Sequence, residues 1–132
     1  MNRKQAREAA MKLVYEWELG GDAWEDTITG LLEIMPGEAE LDYTLKLYNG
    51  VKQHVSELDE SIQRYSSGWK LDRMAKVDLA ILRIACEEMT YCDVPSGVVI
   101  NEAVEISRTY SIEKAGSFIN GILGSMSRDK AN

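Results

Sequence analysis

The chain has 132 residues, is 45% hydrophobic and 28% charged, and carries a formal net charge of −7. That length favours a single domain able to bury its own core, and the acidic balance argues against a general nucleic-acid binder. Two cysteines (Cys86 and Cys92), one histidine (His54) and no CxxC pair point away from both a disulfide framework and a zinc site.

The charge is unevenly spread. Residues 1–15 carry four basic and one acidic side chain, residues 16–60 two and twelve, and residues 108–132 four and two. Basic ends on an acidic body can favour local phosphate contact while the rest repels it. No apolar run reaches membrane-spanning length. The chain opens with MNRKQAR and no apolar signal region follows, so the cytoplasm is the expected compartment.

The spacing predicts a first helix from about Arg3 to Leu19, with Ala6, Ala10, Leu13, Val14 and Trp17 on one side. Arg3, Lys4 and Arg7 fall on another side, continued by Met11 and Tyr15. Arg3 and Arg7 are one turn apart and can address neighbouring phosphates, and Tyr15 offers a ring for stacking. A solvated helix end is the plainer alternative. Cations at a helix N-terminus oppose the dipole, and that local mismatch favours a functional reason.

Gly20-Gly21-Asp22 ends this helix. A short second helix is predicted over Trp24 to Ile34, and Pro36-Gly37 breaks the chain again. A third runs from Glu38 to about Ser56, weakened but not ended by Gly50, and Leu58 to Tyr65 forms a fourth piece. Ser66-Ser67-Gly68 is a stop.

The chain is organised around residues 71–89. Twelve of these nineteen positions are apolar, which covers most of a helical wheel and marks a helix packed on several sides. Asp72, Arg73, Lys76, Arg83 and Glu87 share one narrow stripe, expected to be its wet edge. Asp78 falls instead among Leu71, Met74, Leu82, Ala85 and Met89. A buried charge needs a partner, and two readings stand open: an internal pair with Arg64 or Arg83, or a site where another molecule docks.

Pro95 and Ser96 start a sixth helix to about Tyr110. Ser111 is the expected cap of a seventh, Ile112 to about Met126, with the tail SRDKAN frayed. Gly116, Gly121 and Gly124 strip that helix of side chains and permit close approach of a neighbour. Trp24, Trp69 and most tyrosines read as core or rim, and His54 as a surface residue. No phosphate-binding loop, nucleophile elbow or HExxH pattern occurs, so no catalytic constellation is expected.

Four segments together resemble the NusB family of bacterial transcription antitermination factors. They are RKQAREAAMKLVYEWE at Arg3–Glu18, VDLAILRIACEEM at Val77–Met89, VPSGVVINEAVEIS at Val94–Ser107 and FINGIL at Phe118–Leu123. The resemblance implies an all-α fold of about seven helices in two subdomains, residues 1–66 and 67–132, around the helix at 71–89. It implies no catalysis, metal or cofactor. It implies a pairing with NusE, a small-subunit ribosomal protein. The pair is expected to bind boxA RNA of nascent transcripts, notably ribosomal RNA, and to act on RNA polymerase with other Nus factors. Whether the free protein is a monomer or a homodimer stays open. By the resemblance, Arg3, Lys4 and Arg7 match the family's basic first helix, with Lys4 where arginine is common. Phe118, Asn120 and Gly121 match its F-x-N-G motif, with Lys114 one turn earlier, beside the RNA. Tyr15, Asp72 and Asp78 match the NusE-facing positions. Two alternatives remain: the NusB-like RNA-binding module of an rRNA cytosine methyltransferase, and a helical scaffold that binds protein alone.

Overall fold

In the computed structural model, residues 3–20 and 38–131 are described. They form five α-helices and one 3-10 turn, with no strand among the described residues. The helices are α1 (Arg3–Gly20), α2 (Glu38–Arg64), α3 (Lys76–Tyr91), α4 (Ser96–Tyr110) and α5 (Ala115–Ala131), and the turn is Leu71–Arg73. The helix expected at Trp24–Ile34 lies outside the described residues.

Helix α3 sits at the centre because it has almost no polar face to spare. Residues 78–89 are all buried, and α1, α2, α4 and α5 all pack against it. Helices α1 and α2 also pack on each other, and so do α4 and α5, which a short connection joins. One continuous core results. It runs from Ala6, Leu13 and Val14 through Leu47, Val51 and Ile62 to Leu82, Ile119 and Leu123.

Four boundaries differ from expectation. The third and fourth predicted pieces are one helix of 27 residues. Gly50 lies inside it because Glu87 of α3 packs there: a Cβ at position 50 would collide with the Glu87 carboxylate. The central helix is also shorter than 71–89. Met74 and Ala75 are extended, at ψ 145 and 137, which separates the turn at 71–73 from α3 and lets Met74 bury its side chain. Ser111 does not cap the last helix. It is extended, Ile112–Lys114 turn outside, and α5 begins at Ala115. The tail is not frayed: α5 continues to Ala131, the Lys130 ammonium donates to the Met89 carbonyl, and the Tyr65 hydroxyl donates to Asp129 Oδ2 at 2.6 Å.

Two predicted boundaries hold. Helix α4 spans Ser96–Tyr110. The stop after α2 is built from Ser67 and Gly68 at φ 54 and 90, the left-handed region that favours glycine. No described helix is long and apolar enough to cross a membrane.

Candidate nucleic-acid and partner interface

Of the three cations expected on one outer face of α1, Lys4 alone is exposed. Arg7 is 7% exposed. Its Nε–H lies between both Glu88 carboxylate oxygens, at 2.9 and 3.0 Å. The Tyr43 hydroxyl donates to the same carboxylate, and Glu88 is 1% exposed. Burial pulls the guanidinium pKa down, but hydrogen bonding and charge from Glu88 more than offset it, so Arg7 stands above its ordinary value. Burial, then the bond to Glu88, raises the Tyr43 phenol. Arg3 is half-buried with its guanidinium carbon 3.6 Å from the Tyr43 ring centroid. The first helix thus ties two of these three cations, Arg3 and Arg7, into a network with α2 and α3. The expectation of Arg7 as an outward phosphate contact is corrected to a buried, paired arginine.

The wet stripe of α3 needs the same correction. Asp72, Arg73 and Lys76 are exposed, whereas Arg83 and Glu87 are buried. Arg83 donates from Nε and Nη2 to Asp59 and from Nη1 to Glu18, each at 2.8 Å. This planar fork satisfies two carboxylates from two helices. Glu87 lies 2.9 Å from His54 Nδ1. The His54 ring stacks on Tyr91 at 4.0 Å, so His54 is not a lone surface histidine. The Tyr91 hydroxyl donates to Glu57 at 2.7 Å, and that bond pushes its phenol up to about 12.

Asp78 is 7% exposed and lies in the first turn of α3, where the helix dipole favours a carboxylate. Its Oδ1 accepts from the Ser111 hydroxyl at 2.6 Å. The internal pair with Arg83 is overturned, because Arg83 is engaged by Asp59 and Glu18. Arg64 lies over the ring of Tyr65.

Five of the remaining candidate residues divide among three hollows. Asp78, Lys114 and Phe118 meet in an apolar groove of about 340 Å³, also lined by Trp69, Arg73, Met74 and Ile112. Phe118 is half-buried, and its ring meets Trp69 edge-on at 5.9 Å. Tyr15 is 37% exposed and lines a separate hollow with Lys12, Val77 and Tyr110, where Lys12 lies over the Tyr110 ring. Asn120 lines a third, between α4 and α5, with Gly97, Asn101 and Arg108. Gly121 is exposed, with open space where a Cβ would stand. Asp72 is exposed in the 3-10 turn. Arg3, Lys4 and Arg7 line none of these three hollows.

The structure therefore offers an all-helical scaffold with exposed cations and aromatics at helix ends. The family model described as "NusB family" matches residues 4–128. This chain belongs to the NusB family. The curated "Transcription antitermination protein NusB" of Acetivibrio thermocellus is 47% identical over 132 residues, covering 98% of this chain and 91% of the relative. A solved structure of T. maritima NusB superposes with a TM-score of 0.85 at 32% identity, covering 98% of this chain and 92% of that one. A crystal structure of the antitermination factors NusB and NusE in complex with dsRNA aligns at a TM-score of 0.84 and 27% identity, covering 96% of both chains. Against this NusB frame, Trp69 and Ile112 are the side chains that pattern reading missed. Trp69 reads as core or rim and Ile112 only as the start of the last helix, so neither is marked as a site residue. Their exposure, 53% and 71%, follows from two turns that the period does not report.

Proposed function

We propose that this chain is a transcription antitermination factor, a non-catalytic adaptor that pairs with NusE and binds boxA RNA of nascent transcripts, above all ribosomal RNA. In this reading it supports processive elongation by RNA polymerase with the other Nus factors, in the bacterial cytoplasm. The observation that carries it is the likeness, over 96% of both chains, to the NusB bound with NusE and RNA. The exposure of Lys4, Lys114 and Asn120 supports direct RNA contact, with Phe118 beside Lys114 at the groove. Arg3 and Arg7 support it indirectly, by holding the first turns of α1 on the core.

The test is a gel shift of a boxA-containing RNA with this chain, with and without NusE. Lys4→Ala is expected to weaken binding and to lower the slope of log affinity against log salt by about one phosphate contact. Phe118→Ala and Asn120→Ala are expected to reduce discrimination between boxA and scrambled RNA, because unpaired bases are read by stacking and edge hydrogen bonds. Equal affinity of the three variants and the parent across a salt titration would remove the site. Size-exclusion of the free chain distinguishes monomer from homodimer.

The partner surface is assigned to Tyr15, Asp72 and Asp78. Asparagine at position 78 keeps an oxygen that accepts from Ser111, so Asp78→Asn is expected to leave the melting temperature nearly unchanged. It removes the charge that a basic NusE residue would meet, so NusE should dissociate faster. Asp72→Asn, at an exposed position, is expected to act in the same direction and more weakly. A large loss of stability with unchanged NusE affinity of the folded fraction would make Asp78 a structural group and misplace this surface.

A further inference from the structure

We infer that Trp69 is a preformed stacking platform for an unpaired RNA base, seated in the groove it shares with Ile112 and Phe118. The inference rests on the RNA-binding reading above and adds a residue to it.

Trp69 is 53% exposed in a chain whose other large apolar side chains are mostly packed. Its backbone is held on three sides. The Trp69 N–H donates to the Ser66 carbonyl at 3.2 Å, and the Trp69 carbonyl accepts from the Ser66 hydroxyl and the Gln63 side-chain amide. Gln63 Oε1 also accepts from the Leu71 N–H at 3.1 Å. The left-handed pair Ser67 and Gly68 delivers the chain to this point. A pinned backbone with an exposed indole gives up little freedom on binding.

Trp69 lines two hollows. The apolar groove of about 340 Å³ is walled by Met74, Ile112 and Phe118. A second hollow of about 440 Å³ is lined by Ser67, Gly68, Lys70 and Arg73. Lys70, Arg73 and Lys114 are exposed around the indole, and Asp72 lines neither hollow. In a chain of net charge −7, three cations around an exposed tryptophan are a local exception. An aromatic face ringed by cations suits single-stranded nucleic acid, in which bases stack and phosphates need countercharge. At the inner end, the Asp78 carboxylate repels phosphate. The backbone therefore stays at the cationic mouth and the base stacks there on the indole, which leaves the Asp78 end to the NusE contact assigned above. A hydrophobic protein segment would fill the apolar wall but leave the three cations without a partner, so RNA is the occupant the chemistry favours.

The experiment uses the full chain with NusE and a single-stranded boxA RNA. Trp69→Leu keeps an apolar side chain at the rim and removes the stacking face; Trp69→Phe restores a smaller one. Trp69→Leu is expected to weaken RNA binding by about 5- to 150-fold, the range of one lost base stack, with Trp69→Phe in between and NusE affinity unchanged. Indole fluorescence of the parent should be quenched by RNA, and the quench should be absent in Trp69→Phe. RNA affinity of Trp69→Leu equal to the parent overturns the platform while leaving the RNA-binding reading intact. Loss of NusE affinity with RNA affinity unchanged shows instead that the groove docks protein, and overturns it too. No RNA binding by the parent overturns both.

Discussion

Glu88→Ala is expected to cost about 3–5 kcal/mol of stability, the range for breaking a buried pair by removing one partner. The carboxylate accepts from Arg7 and from the Tyr43 hydroxyl, with 1% of the residue exposed. Its removal leaves a largely buried guanidinium without its bonded carboxylate and a phenol without its acceptor. Domains of this kind are stable by about 5–15 kcal/mol in total, so the loss is a large fraction of the whole. Glu88→Gln retains shape and one acceptor and should fall in between. The informative comparison is the triple change Arg7→Met, Tyr43→Phe, Glu88→Leu. It strips the network of charge and is expected to recover much of the loss, because well-packed apolar groups commonly replace buried ion pairs at little cost. Urea midpoints at constant m-value read all three. A cost below about 1 kcal/mol for Glu88→Ala would show that water reaches Arg7 readily.

Leu82→Ala should destabilise by about 2–5 kcal/mol, the usual span for a buried large-to-small change. Leu82 is fully buried in the middle of α3. The helices around it come from both flanks of the chain, so none can close a void by moving without disturbing the others. That places the expected cost toward the upper part of the range. The Cys86 thiol, one turn on, lies 3.6 Å from the Met126 sulfur, and burial pushes it up to about 12. A denaturant midpoint within error of the parent would show a core able to collapse around alanine.

Where local chemistry writes a boundary, the sequence was readable. Pro95 and the Ser66–Gly68 stop each mark an end that the structure keeps. The break at Met74–Ala75 was not readable, because neither residue interrupts an apolar period and the cause is tertiary: Met74 turns inward. The fate of charges was the least legible. On a wheel, Arg7 sits beside Arg3 and Lys4, and nothing nearby in sequence announces a carboxylate 81 positions away. Arg83 and Glu87 read as a wet edge for the same reason: periodicity reports which residues share a side, not what stands opposite. The site was legible as segments and not as geometry. Asp78, Lys114 and Phe118 do converge on one groove, but Trp69 reads in sequence as core or rim and Ile112 only as a helix start, so the apolar walls they give that groove were not legible.

The junction of Arg7, Tyr43 and Glu88 joins α1, α2 and α3 through residues far apart in the chain. Arg3 rests on the same tyrosine. Drift at any one of these positions meets a barrier, since each single step orphans a charge or a hydroxyl before a second step can compensate. The three sites are therefore expected to be inherited as a set, replaced together or not at all. The basic start of α1, although it faces outward at Lys4, then evolves at the pace of the interior rather than of the surface.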